Sequence, residues 1–248
     1  MDDTTTPPQT SELKALLDKY SPYLLELRKK LLSTAIVFAV ATLGGFAFYE
    51  QIIKFLIRIF NLEGVNIVFT SPFQFINLAI SCGIATGLVI AFPHLTYQIL
   101  AFLKPALKKK EYKYLIKSIP FSVILFLLGF SFGLFVMKWQ IELFLDKSVS
   151  LGIGNMLDIS KLLSSVLLTS VILGIGFQFP IIISLLMHLG LVTPNQLKKQ
   201  RVWVYLGSFF FTILLPADSL LSDLLLALPL VVLFELTLLL KFPSKKMD

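Results

Sequence analysis

Charge is scarce in this chain: Asp, Glu, Lys and Arg make up 15% of its 248 residues, against about 25% in an ordinary soluble domain. Cysteine is scarcer still, with Cys82 alone, which excludes a disulfide framework and a CxxC redox or zinc site. The two histidines, His94 and His188, lie on separate apolar stretches without metal-ligand spacing, so neither a metal nor a cofactor is expected. Also missing are a GxxxxGK[ST] phosphate loop, HExxH and GxSxG, and with them any recognisable enzyme constellation. The polar start Met1–Glu12 has no basic region leading into a short apolar core, so no cleavable signal peptide is expected.

What is abundant is apolar: hydrophobic residues reach 56% and the mean hydropathy is +0.83. They fall in blocks, Leu31–Phe48, Phe73–Phe102, Ile119–Met137 and Leu162–Leu189, each almost free of charge. A helix crossing a bilayer needs about 20 such residues. Val202–Leu215 and Leu220–Leu240 complete a set of six, the former short and the latter carrying Asp223 and Glu235. Thinning of the bilayer or tilting of neighbours is expected beside these last two spans. The net charge of +7 does not point to nucleic acid, because of where it sits. With six spans and both termini cytoplasmic, every basic residue except Lys54, Arg58, Lys138, Lys147 and Lys161 falls on a cytoplasmic segment. That is the positive-inside pattern, and it supports an even span count.

The expected fold is an all-α integral membrane protein with six transmembrane helices and cytoplasmic N- and C-termini. It forms one domain over residues 1–248, with 1–12 a disordered cytoplasmic tail and 241–248 a second cytoplasmic tail. Residues 13–30 read as an amphipathic cytoplasmic helix entering span one. Glu50–Pro72, with its IIKFLIRIF run, suits a helix lying at the interface. Lys138–Lys161 reads as a loop with short helical pieces. Pro216–Ser219 reads as a tight outer turn in which Asp218 caps the next helix. Pro72, Pro93, Pro105, Pro180, Pro216 and Pro229 are read as structural, Pro93 kinking span two or marking where it leaves the membrane. The GxxxG pairs Gly83/Gly87 and Gly129/Gly133 read as close packing inside the bundle rather than as dimerisation motifs.

Polar residues in or beside the apolar runs are the functional candidates, since lipid exposure would cost several kcal/mol each (about 2–3 for an acid). Gln98 lies at the cytoplasmic end of span two and Gln178 deep in span four, where a neutral amide can satisfy a neighbouring helix or face a substrate. Asp223 sits near the outer end of span six. Glu235, near its inner end, can snorkel and pair with Lys241. Glu26 and Glu111 stand among cytoplasmic cations. They can simply balance them, or together hold paired arginines, because a carboxylate binds guanidinium through two parallel hydrogen bonds.

Four stretches resemble the TatC family, the membrane subunit of the twin-arginine protein translocase. LLELRKKLL (Leu24–Leu32) resembles its HLxELRxRL motif, with Tyr23 in place of the frequent His. AFPHLTYQILAFLKPALKKKE (Ala91–Glu111) resembles the P-x4-Q-x3-F-x2-P-x-L-x3-E pattern. GIGFQFPIIISLLMHLGLVTPNQLKKQR (Gly174–Arg201) has Gln178 where many members carry a Glu. LLPADSLLSDLLLALPLVVLFE (Leu214–Glu235) is similar to the TPxD…P…YE ending, with Leu215 for the Thr. The resemblance implies a receptor for twin-arginine signal peptides of folded proteins, contacted at Glu26, Arg28, Gln98 and Glu111. It further implies a concave six-helix bundle in the bacterial cytoplasmic membrane and partnership with TatA- and TatB-type single-span subunits. A homo-oligomer within a larger complex and dependence on the proton-motive force follow as well. Gln178, Asp218, Asp223 and Glu235 become the membrane-embedded polar or partner contacts. A small-solute or ion carrier is the alternative, disfavoured because the acids lie toward the two faces rather than at the midplane.

Overall fold

The computed structural model describes residues 8–62, 65, 67–104, 109–152, 157–188, 190–216 and 220–239. These form α1 (Pro8–Ala47), α2 (Tyr49–Ile59), β1 (Ile67–Val68), α3 (Gln74–Leu103) and α4 (Lys109–Ser150). There follow β2 (Leu157–Asp158), α5 (Ile159–Gly176), α6 (Phe179–His188), α7 (Pro194–Lys199), α8 (Arg201–Ile213) and α9 (Leu220–Leu239). Helix α1 starts at Pro8, inside the stretch expected to be a tail. Residues 241–248 lie outside the described residues.

Among the described residues, five stretches are long and apolar enough to cross a membrane: Tyr23–Ala47, Gln74–Phe102, Ile116–Ser150, Ile159–Met187 and Leu220–Leu239. The shorter apolar helix Arg201–Ile213 stands beside them. Contacts along the chain fix their directions. Gly45 meets Thr86 while Lys30 lies over Phe102, so α3 runs antiparallel to α1. Gly133 meets Ser170 and Gly129 meets Leu173, so α5 returns along α4. The basic groups Arg28–Lys30, Lys104 and Lys198–Arg201 therefore gather at the Tyr23 end of the bundle, away from the Ala47 end.

Glycine sets how closely these helices approach. A Cβ on Gly83 would lie 2.9 Å from the Thr42 carbonyl oxygen, and one on Gly87 would strike the Thr42 hydroxyl. On Gly129 it would reach 2.8 Å from the Leu173 carbonyl, and on Gly133 2.7 Å from the Ser170 Cα. Both GxxxG pairs are thus used inside the bundle, as their small residues permit.

Two expectations need correction. The stretch after Met137 is not a loop: α4 continues unbroken to Ser150. KWQIELFLDKSVS contains neither Pro nor Gly, Lys138 pairs with Glu142 one turn on, and Ile141 and Ser148 face the interior, so nothing there ends a helix. Span four, by contrast, is two helices. Pro180 cannot donate a backbone hydrogen bond and is suited to a first turn. The chain accordingly breaks at Phe177–Gln178 and restarts with the Gln178 carbonyl accepting from Ile181 and Ile182. Span two does run on through Pro93 as one helix.

Helix α2 is not a surface helix on all sides. Leu56, Phe60 and Leu62 are buried with Leu78, Cys82, Ile141 and Leu163 in a core shared by α2, α3, α4 and α5, while Phe55 is exposed. Asn61, at φ 52°, turns the chain out of α2, a left-handed conformation that asparagine tolerates. A second core joins α4, α5 and α9 through Val136, Leu173, Phe177 and Leu226. A third joins α6, α7 and α9 through Ile183, Met187, Leu197 and Phe234.

Candidate functional site

The Tyr23 end holds the polar residues that the sequence singles out. Glu26 accepts an ion pair from Lys30 at 2.6 Å, one turn along α1. Lys30 is held in turn over the Phe102 ring, 5.6 Å from its centroid. The Glu26 side chain remains 42% exposed while that of Lys30 is 16% exposed, so the carboxylate is fixed in place yet open to a second partner. Arg28 and Lys29 are exposed, and neither pairs with a carboxylate among the described residues. Glu111 lies in the first turn of α4, whose start belongs to the same end. Pro105 is outside the described residues.

Deeper in, α1 and α3 share a polar triangle. His94 and Gln98 are one helical turn apart, so they stand on the same face of α3. Gln98 Nε2 lies 3.2 Å from His94 Nε2 and donates to Ser33 Oγ at 3.4 Å. Ser33 Oγ is 3.1 Å from the same His94 nitrogen. His94 was legible only as a lone histidine without metal spacing; its i, i+4 relation to Gln98 was the available signal.

Gln178, in the break between α5 and α6, is tied to α4. Ser122 Oγ donates to its Oε1 at 2.6 Å. Its Nε2 donates to the Ser122 carbonyl at 3.2 Å and to the Gly174 carbonyl at 3.4 Å. Both ends of this amide are thus used within the protein.

The remaining candidates scatter. Asp218 lies outside the described residues. Asp223 is in the first turn of α9 and 5% exposed, with Oδ1 lacking a hydrogen-bond partner among the described residues. Lys241, the expected partner of Glu235, lies outside the described residues. Arg201 Nη2 donates to Glu235 at 2.9 Å and the Tyr205 hydroxyl donates to its other oxygen, binding α8 to α9. Arg201 sits in sequence far from Glu235, and only the antiparallel return of α9 along α8 brings them together. Pro72 lies in the turn before α3, Pro180 in the first turn of α6, Pro216 just after α8, and Pro93 and Pro229 inside helices. Among the described residues no three His, Cys, Asp or Glu side chains cluster as metal ligands.

The Ala47 end carries a cluster that sequence reading missed. Asp158 caps α5 by accepting from the Lys161 backbone N–H at 3.1 Å. Its other oxygen accepts from Thr70 Oγ1 at 2.9 Å and Gln74 Nε2 at 2.7 Å. Ser160 Oγ donates back to the Gln74 carbonyl, and β1 pairs with β2 in parallel alongside. Desolvation pushes the Asp158 carboxyl up, but the Lys161 N–H, Thr70, Gln74 and the Lys161 charge together hold it below its ordinary value. The signal available was an Asp three residues before Lys161 at the start of an apolar run.

Comparison with known proteins places these features in a family. The family profile described as Sec-independent protein translocase protein (TatC) matches residues 22–229. The chain is 32% identical over 228 residues to the Sec-independent protein translocase protein TatCy of Bacillus subtilis, covering 88% of this chain and 86% of that one. It is 31% identical over 218 residues to the Sec-independent protein translocase protein TatC of Escherichia coli K12, covering 86% and 84%. A crystal structure described as the twin arginine translocase receptor TatC superposes with a TM-score of 0.77 at 29% identity, covering 88% of this chain and 96% of that chain. A second, in the detergent DDM, gives a TM-score of 0.79 at 28% identity, covering 90% and 99%.

Proposed function

Because the chain belongs to the TatC family of Sec-independent protein translocase subunits, which are membrane receptors and not enzymes, we propose that it binds twin-arginine signal peptides at the Tyr23 end of its bundle. It is a multi-pass protein of the bacterial cytoplasmic membrane. Six spans cross that membrane, the short α8 serving as the fifth, and both termini are cytoplasmic. The gathering of Arg28–Lys30, Lys104 and Lys198–Arg201 at one end supports this orientation.

The observation that carries the binding site is the state of Glu26, a carboxylate anchored by Lys30 and still open to solvent. An arriving guanidinium can take the unspent lone pairs of such a group without first unburying it. Glu111, at the start of α4, supplies the second carboxylate for a pair of arginines. Gln98 lies further along the same α1–α3 seam, and Arg28 lines an open groove on α1 that reaches Ser33. Gln178, already satisfied by Ser122 and Gly174, acts after recognition, during assembly. A single-span TatB-type subunit packs near α8 and α9, where a groove of about 490 Å³ is lined by Phe179, Trp203, Gly207 and Phe211, and TatA-type subunits are recruited to the complex. The receptor works as a homo-oligomer within that complex, and the proton-motive force drives transport. A solute carrier is the second reading, but among the described spans no cluster of midplane charge favours it.

Photocrosslinking from position 111 tests the site. A signal peptide bearing two arginines should crosslink strongly and one bearing two lysines weakly, because ammonium cannot reproduce the bidentate fork. Equal or absent crosslinking to both, in correctly inserted protein, would overturn the receptor reading.

A further inference from the structure

The triangle of Ser33, His94 and Gln98 determines which atoms of Gln98 are spent. The amide nitrogen of Gln98 faces inward, 3.2 Å from His94 Nε2 and 3.4 Å from Ser33 Oγ. An amide NH₂ can only donate, so His94 Nε2 must accept. The Ser33 hydroxyl, receiving one Gln98 N–H, is free to send its own proton to the same ring nitrogen at 3.1 Å. A nitrogen that takes two donors carries a lone pair, which places the imidazole proton on Nδ1. The other end of the amide, Gln98 Oε1, has no partner among the described residues, on a side chain that is only half-buried. With the proton on Nδ1, an amide turned over would set its oxygen against the His94 lone pair, so this tautomer and this amide orientation hold one another in place.

We propose that His94 is a positioning residue of the signal-peptide surface. By accepting from the Gln98 amide it holds Oε1 outward as an acceptor for an N–H donor of the bound peptide. The proposal rests on the reading of this end as the signal-peptide site and adds to it a part of the peptide. Ser33 lies two turns along α1 from Glu26, about 10 Å at 1.5 Å per residue. An extended chain covers that distance in about three residues. The donor that Gln98 meets therefore lies about three residues from the arginine pair rather than belonging to it.

The test measures affinity of a twin-arginine signal peptide for the full chain in lipid nanodiscs, with ¹⁵N NMR of the histidine ring. In the unmodified protein the His94 signals should report protonated Nδ1 and bare Nε2. His94→Leu should weaken the peptide about three- to tenfold, the worth of one hydrogen bond. His94→Gln, which can place a carbonyl oxygen where Nε2 stands, should restore the affinity. Unchanged affinity in His94→Leu, failure of His94→Gln to restore it, or a proton on Nε2 would each overturn the positioning role. Glu111→Gln run in parallel separates the two claims. If it abolishes binding while His94→Leu does not weaken it, only the positioning role falls. If Glu111→Gln binds as before, the signal-peptide reading falls with it.

Discussion

The two ends of the bundle treat their polar groups differently. At the Ala47 end Asp158 takes hydrogen bonds from Thr70, Gln74 and the Lys161 backbone, and Gln74 accepts in turn from Thr70 and Ser160. At the Tyr23 end, among the described residues, the Gln98 side-chain carbonyl has no partner, Glu26 stays partly open, and Arg28 and Lys29 stand exposed without carboxylate partners. Gln178, between the two, follows the first pattern, with both ends of its amide reciprocated. A polar group with every valence met inside the protein holds helices together, whereas one left incomplete beside anchored neighbours can receive a ligand at little cost of rearrangement.

Three substitutions can break this contrast, from the largest effect to the smallest. Asp158→Ala should cost about 1–2 kcal/mol of stability through the lost helix cap, read in an unfolding titration in mixed micelles, with signal-peptide affinity unchanged. Because the folded Asp158 carboxyl titrates below its unfolded value, its contribution is present above the unfolded pKa and lost as pH falls through the folded one. Wild type and variant should therefore converge in acid; a constant gap would show that the carboxylate charge is not what matters. Gln178→Leu should cost about 1 kcal/mol, in the range of one interhelical hydrogen bond in lipid. It should leave initial signal recognition intact and impair later assembly, so loss of recognition itself would move Gln178 to the receiving side. Gln98→Leu should cost least in stability, about 0.5 kcal/mol, yet reduce signal-peptide affinity. A large loss of stability with unaltered affinity would make Gln98 a structural residue like Gln178.

The helices were legible because lipid demands long uncharged runs, and such runs survive any detail of packing. Their ends were not. The continuation of α4 to Ser150 follows a stretch too polar for a span and too free of breakers for a loop, a combination that hydropathy alone assigns wrongly. The break at Phe177–Gln178 sits inside an uninterrupted apolar run, and Pro180 was its sole mark. Of the candidate site, Gln98, Gln178 and Glu235 could be named from sequence as polar residues in apolar surroundings. Their partners could not: Ser33, Ser122 and Arg201 come from distant helices, and nothing local distinguishes them from other serines and arginines. Asp158 and His94 were missed for a related reason, since each earns its role from what another element brings to it.

Helix α1 packs chiefly against α3, and only 6% of its span is buried within the protein. The seam between them, closed by Gly45, Gly83 and Gly87, needs nothing from the later helices. During synthesis the first span can thus find its permanent neighbour as soon as α3 has entered the bilayer, well before α4 to α9 exist. The hairpin they make already contains Glu26, Ser33, His94 and Gln98, so half of the proposed peptide surface is complete while most of the protein is still being translated.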